Sequence, residues 1–341
     1  MQRRTLIQWA ASSSALATVS ALPSLARAAE APKDIRLDYA YYNPSSLVIR
    51  RFGWLEEEFK KDGIGITWVL SAGSNRALEY LNGNSIDIGS SAGLAAVLAK
   101  ANGNPIRTPY IFSRPEWTAL LVPKNSPIKT LADLKGKKVA ATKGTDPYLF
   151  LLRALHTVGL KRSDIEHVAL QHADGKAALE QGRVDAWAGL DPLMAASELG
   201  AGSRLLYRNV DFNTYGFLNV REDFIQRHPN ELRRVLAVYE RASQWIQGNT
   251  RAAAQILSEE AKVSLEVALL QLKVRTDFSQ PQPGAQHIQA LQAASPILLD
   301  EALVRPGTNV KKVIIAHGHA DHFGGVHRGV LGLRGVGGLC H

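Results

Sequence analysis

Between residues 71 and 103 the chain reads SAGSNRALEYLNGNSIDIGSSAGLAAVLAKANG, and its small polar residues are spaced for holding an anion. Ser and Asn favour helix N-caps because their side-chain oxygens accept bonds from amides that have no partner inside the helix. Two helix starts are expected here, Gly73-Ser74-Asn75 and Ser90-Ser91-Ala92-Gly93, on either side of a short apolar strand at 86–88. Each start carries free N–H groups and the positive end of a helix dipole, and small residues let a ligand approach that backbone. A third start is expected at Lys143-Gly144-Thr145-Asp146-Pro147. A fourth is Asp191-Pro192, with Asp as N-cap and Pro at the first helical position. The chemistry these residues suit is non-covalent capture of a small oxyanion.

A different chemistry is spelled near the other end. Residues 311–326 read KKVIIAHGHADHFGGV, an apolar strand followed by His317-x-His319-x-Asp321-His322. This segment resembles the metal motif of metallo-β-lactamase-fold hydrolases, in which two zinc ions activate water. Catalytic zinc takes three protein ligands per ion, and the residues after His322 offer only His327, Cys340 and His341. No upstream segment supplies the two layered sheets of that fold. The Gly-rich stretch 310–341 is therefore expected to be an atypical tail with a partial motif, and a zinc hydrolase stays the alternative.

Positioning the helix starts requires strands and helices in alternation. Residues 35–40 alternate in polarity as a first strand and lead into the turn Tyr41-Tyr42-Asn43-Pro44-Ser45-Ser46. Leu47, Ile49, Phe52, Leu55 and Phe59 give helical spacing over 47–62, and 64–70 reads as a second strand. Further strands are expected at 117–122, 139–142, 166–170 and 184–189, a return strand at 215–220, and helices at 148–158 and 174–181. From Arg221 the pattern turns helical, at 231–247, 250–260, 264–274, 286–291 and 296–303. This rhythm argues for α/β units with largely parallel sheets, whose ligands collect at the strand carboxyl ends.

At 341 residues and 45% apolar composition the chain can bury the cores of two lobes. Its formal charge of +9 overstates its basicity: without Arg3, Arg4, Arg27 and the residues from Lys311 onward, about +3 remains. No stripe of Lys and Arg with interleaved aromatics is present, so no nucleic-acid partner is expected. Residues 1–28 read as a signal peptide, with a basic start, an Ala/Ser/Leu centre and the small-x-small site Ala26-Arg27-Ala28. Arg3-Arg4-Thr5-Leu6-Ile7-Gln8 resembles a twin-arginine motif, with Gln8 where Lys is common; an ordinary signal with two arginines is the alternative. No other apolar run reaches the roughly 18–20 residues that span a bilayer. The single cysteine, Cys340, excludes an intramolecular disulfide. A soluble, monomeric, periplasmic protein without a cofactor is expected.

Several segments, in this order, resemble the type II periplasmic substrate-binding proteins of ABC importers, in the aliphatic sulfonate/taurine/nitrate branch. They are the 41–46 turn, Ser71-Ala72-Gly73-Ser74, Gly83-Asn84-Ser85-Ile86-Asp87-Ile88-Gly89, the stretch LADLKGKKVA at 131–140, Gly182-Arg183-Val184-Asp185-Ala186-Trp187 and Asp191-Pro192. The resemblance covers 35–308 and implies an α/β fold of two doubly wound lobes with a ligand cleft between them. Lobe I would comprise 33–122 and 221–309, and lobe II 123–220. Also implied is capture of an aliphatic sulfonate or similar small organic anion, delivered to transmembrane permease subunits without catalysis. Nitrate, or a neutral heterocycle such as a thiamine precursor, stays open on the same fold. Leu190 stands where family members often have an aromatic residue.

Gly73, Ser74, Asn75, Ser90, Ser91, Ala92, Gly144 and Thr145 are expected to hold the anion's oxygens. Tyr42, Trp117 and Tyr215 would wall its organic part, and Asn43 and Asp191 are counted with the ligand-binding residues. A plainer reading makes Ser74, Ser91, Thr145 and Asp191 caps and makes Tyr42 and Trp117 packed core. Trp187 reads as core. His156, His167, His172 and His228 show no ligand spacing and read as surface residues.

Overall fold

Ile35 and Leu37 are fully buried on a strand that leaves Asp34 and Arg36 partly exposed, and that strand, β1 (Asp34–Tyr39), begins a computed structural model describing residues 31–279 and 281–311. The expected signal peptide and the His317, His319, Asp321 and His322 motif lie outside the described residues. The chain continues through α1 (Pro44–Phe52), α2 (Trp54–Phe59), β2 (Gly65–Leu70), α3 (Ser74–Asn82), β3 (Ile88–Ala92), α4 (Gly93–Ala101) and β4 (Ile106–Pro115). Next come β5 (Leu120–Val122), β6 (Lys138–Ala141), α5 (Asp146–His156), β7 (Glu166–Ala169), α6 (His172–Glu180), β8 (Ala186–Ala188), α7 (Leu193–Ala196) and β9 (Arg204–Tyr207). The return comprises β10 (Gly216–Arg221), α8 (Glu222–Arg227), α9 (Pro229–Gly248), α10 (Thr250–Ala261), α11 (Leu265–Leu269), β11 (Thr276–Asp277), α12 (Ala285–Ala294) and α13 (Pro296–Asp300).

Two sheets form, in the orders β11-β4-β10-β3-β1-β2 and β7-β6-β8-β5-β9. They are mixed rather than largely parallel. β1 pairs in parallel with β2 and β3, but β10 runs antiparallel to both β3 and β4. In the second sheet β6 is parallel to β7 and β8, while β5 is antiparallel to β8 and β9. β5, expected in the first lobe, pairs in the second sheet; β10, within the segment expected for the second lobe, pairs in the first. Strand pairing of this kind is a long-range contact that no local pattern encodes.

Other expectations change for local reasons. The helix expected over 47–62 breaks at Gly53, whose left-handed backbone (φ 63°) ends α1 before α2 begins. The helix expected over 264–274 is α11 followed by a π-helical turn, Leu270–Val274. β4 and β9 had no counterpart in the sequence reading. Trp187 lies on β8, fully buried among Leu121, Leu179, Val184 and Met194, as its core reading requires. A buried ring of this size anchors its lobe, since truncation to Ala typically costs about 3–5 kcal/mol.

Candidate functional site

At the carboxyl end of β1, Asp38 is fully buried, and its Oδ1 accepts bonds from the amide and the hydroxyl of Ser90, both at 2.8 Å. Burial pushes this carboxyl up to about 7, against the pull of those two bonds. Ser90 Oγ in turn accepts from Asn43 Nδ2 at 2.7 Å, and the Tyr42 hydroxyl donates to the Ser90 carbonyl at 3.0 Å. Asn43 is also the N-cap of α1, accepting from the Ser46 amide. Tyr42, Asn43 and Ser90 are thus knit into one network that sets the start of α1 against β3.

The second expected helix start forms at Gly93, with Ala92 as the N-cap of α4, directly after a strand. β3 runs through Ala92, so Ser90, Ser91 and Ala92 are strand residues, fully buried. Ser91 Oγ accepts from Asn219 Nδ2 at 2.8 Å and donates to the Ala92 carbonyl, while the Ala92 amide donates to Ser74 Oγ at 3.0 Å. The first amides of α4 are taken as well, Gly93 by the Tyr215 carbonyl at 2.9 Å and Leu94 by Thr214 Oγ1 at 3.1 Å. Polar groups that the sequence offers to a ligand are bonded to neighbouring side chains and carbonyls.

A different set of helix starts converges. Gly73 precedes α3, and a side chain there would meet His172 Nε2 at 2.8 Å and Asn75 Oδ1 at 2.9 Å. Only a residue without Cβ lets the two lobes approach this closely. Gly144, left-handed at φ 75°, sits before α5, and a Cβ on it would lie 3.5 Å from Asn75 Cβ. Thr145, the N-cap of α5, donates its hydroxyl to the Thr142 carbonyl at 2.6 Å. His172 is the first residue of α6, 2% exposed, which corrects its reading as a surface residue; His228 is also buried. Burial pushes the His172 imidazole down to about 4. The starts of α3, α5 and α6 follow β2, β6 and β7, all at the carboxyl ends of parallel strands. That position is the signal by which His172 could have been found in the sequence.

The remaining expected residues have other neighbours. Trp117 meets Tyr42 edge-on at 5.9 Å between ring centroids, and its Nε1 donates to Asp146 Oδ2 at 3.0 Å. Asp146, buried and raised by burial, also accepts from the amide and hydroxyl of Thr214 at 2.8 and 2.7 Å. Asp191 belongs to a buried ion pair. Its carboxylate accepts from Arg275 Nη1 at 3.1 and 3.3 Å and from the Ala195 amide at 2.9 Å, while Arg275 also binds Glu198. The 191–192 peptide bond is cis, and α7 starts at Leu193, one residue later than expected. Arg275 immediately precedes β11 of the first sheet and Asp191 follows β8 of the second, so the pair clamps the lobes together. Tyr215 lies edge-on to His287 at 4.3 Å, with the Arg114 guanidinium 5.9 Å from its ring. Gly73, Ser74, Asn75, Gly144 and Thr145 are therefore brought together with His172, whereas Asp191 and Tyr215 are committed elsewhere.

Among the described residues, no group of three His, Cys, Asp or Glu is placed to hold a metal, and no helix is long and apolar enough to cross a membrane. A relative in Escherichia coli (strain K12), named for binding aliphatic sulfonates, is 30% identical over 303 residues, 88% of this chain and 94% of that protein. The alkanesulfonate-binding protein SsuA of Xanthomonas axonopodis pv. citri, solved bound to MOPS, matches with a TM-score of 0.76 and 28% identity, over 83% of this chain and 98% of that one. The periplasmic aliphatic sulphonate binding protein SsuA of Escherichia coli matches with a TM-score of 0.71 and 30% identity, over 83% and 92%. The two-lobed α/β architecture is that of these binding proteins. The NMT1/THI5-like family profile matches residues 56–253, and the chain belongs to that family.

Proposed function

We propose that this protein captures an aliphatic sulfonate, or a closely similar small organic anion, between its two lobes and delivers it to the permease of an ABC importer. The observation that carries this reading is the convergence of the α3, α5 and α6 starts around Gly73, Asn75, Gly144, Thr145 and His172. Helix starts present amides and positive dipole ends to an anion without a full countercharge. Closure of the lobes removes water, which strengthens each hydrogen bond to the bound oxyanion. The names of the SsuA relatives favour a sulfonate head, and the site suits reversible holding with no chemical step. Tyr42 and Trp117, whose rings meet edge-on, are the aromatic groups that would meet the organic part of the ligand. Export to the periplasm through the 1–28 segment places the protein where a permease is loaded.

A thermal-shift screen tests the reading, using alkanesulfonates, taurine, sulfate esters, nitrate and pyrimidines. A ligand at 100 times its Kd adds about 2.7 kcal/mol to the folded state, a readily measured shift. Sulfonates should raise the midpoint most. A shift with a pyrimidine or nitrate and none with any sulfonate would overturn the assignment. Mass spectrometry should return the bound sulfonate unaltered.

A further inference from the structure

The hydrogen bonds around His172 determine which of its nitrogens carries a proton. Thr142 Oγ1 lies 2.7 Å from the Leu170 carbonyl oxygen, and of these two oxygens only the hydroxyl has a proton to place between them. With that proton committed, the 3.2 Å contact between Thr142 Oγ1 and His172 Nδ1 runs the other way, Nδ1–H donating to the hydroxyl oxygen. A neutral imidazole has one N–H, so Nε2 bears a lone pair and can only accept. This Nε2 is buried, has no partner among the described residues, and points at Gly73 across the junction of the lobes. Asn75 Oδ1, a second buried acceptor with no partner among the described residues, lies beside the same point. Burial, with no facing charge, disfavours the imidazolium and keeps the ring neutral.

A sulfonate head carries only acceptor oxygens and cannot satisfy this spot. Resting on the reading that the cleft captures a sulfonate, we propose that His172 is a specificity-determining residue whose Nε2 accepts a hydrogen bond from an N–H or O–H on the ligand's carbon chain. The preferred class is then a hydroxy- or amino-alkanesulfonate rather than a plain alkanesulfonate. A buried acceptor left unpaired by the wrong ligand is a strong discriminator, because its desolvation is not recovered.

Isothermal titration of the purified protein with ethanesulfonate, 2-hydroxyethanesulfonate and 2-aminoethanesulfonate tests this. The hydroxy or amino compound should bind about tenfold or more tightly than ethanesulfonate. In His172→Leu that ratio should fall towards one, and in His172→Gln, which retains an acceptor, part of it should return. Equal affinities in the unmodified protein overturn the proposal while leaving sulfonate capture standing, and this comparison does not depend on any variant folding. Discrimination that survives in His172→Leu overturns it too. So does proton uptake on binding, read as an enthalpy that changes with the buffer's ionisation heat, because the ring would then be donating to the sulfonate. Silence towards all three compounds overturns sulfonate capture itself.

Discussion

Replacing Arg275 by Met should destabilise the protein in a manner that depends on pH. Asp191 has no exposed side-chain surface and Arg275 has 4%, so water cannot take over when the guanidinium is removed. The carboxylate would keep only the Ala195 amide. Breaking a buried pair from one side costs about 3–5 kcal/mol. Glu198, which also loses its partner, is 29% exposed and adds little. Burial already lifts Asp191 from 3.8 to about 6, with Arg275 holding it down; without Arg275 it rises further. A carboxyl whose folded value is raised binds more protons folded than unfolded, so its contribution to stability declines as pH rises from about 4 to the folded value. In the native protein that decline ends near 6, whereas in Arg275→Met it continues above 6. The deficit of the variant should therefore grow between pH 6 and pH 8, by at most about 1.4 kcal/mol per pH unit. Urea denaturation followed by circular dichroism at both pH values measures it, and adding Asp191→Asn should recover most of the loss and flatten the pH dependence. A deficit under about 1 kcal/mol at pH 8, or one equal at both pH values, would refute the reasoning.

Two further perturbations separate binding from scaffolding. Gly73→Ala places a methyl 2.8 Å from His172 Nε2 and should weaken sulfonate binding about tenfold or more by titration, whereas unchanged affinity would mean that the lobes do not meet there in the bound state. Ser91→Ala leaves Asn219 Nδ2 without its 2.8 Å acceptor and should cost about 1–3 kcal/mol of stability in thermal denaturation, with sulfonate affinity changed less than about twofold.

The α3 and α5 starts were legible because small residues and caps at the end of a strand are a local signal. Gly73, Ser74, Asn75, Gly144 and Thr145 all fall where that signal points. Ser90-Ser91-Ala92-Gly93 carries the same residue types and leads into α4 at Gly93, yet Ser90, Ser91 and Ala92 are strand residues, because β3 pairs with β10, where Ser91 stands opposite Phe217 and its hydroxyl accepts from Asn219, 128 residues away. Local composition cannot report that contact. His172 was missed for the opposite reason: the helix starts two residues before its apolar spacing does, and one histidine has no period to notice. The clamp between Asp191 and Arg275 joins residues 84 apart beside different sheets, so the sequence shows Asp191 as a cap and a candidate ligand residue and gives no sign of its ion pair.

The most direct test is the crystal structure of the protein with ethanesulfonate bound. Its sulfonate oxygens should lie about 3 Å from amides at the start of α3 and from groups at Gly144 or Thr145, with the lobes closed over them. A sulfonate lodged elsewhere, such as against Tyr215 and His287, or a cleft left empty at saturating ligand, would contradict capture by the converging helix starts.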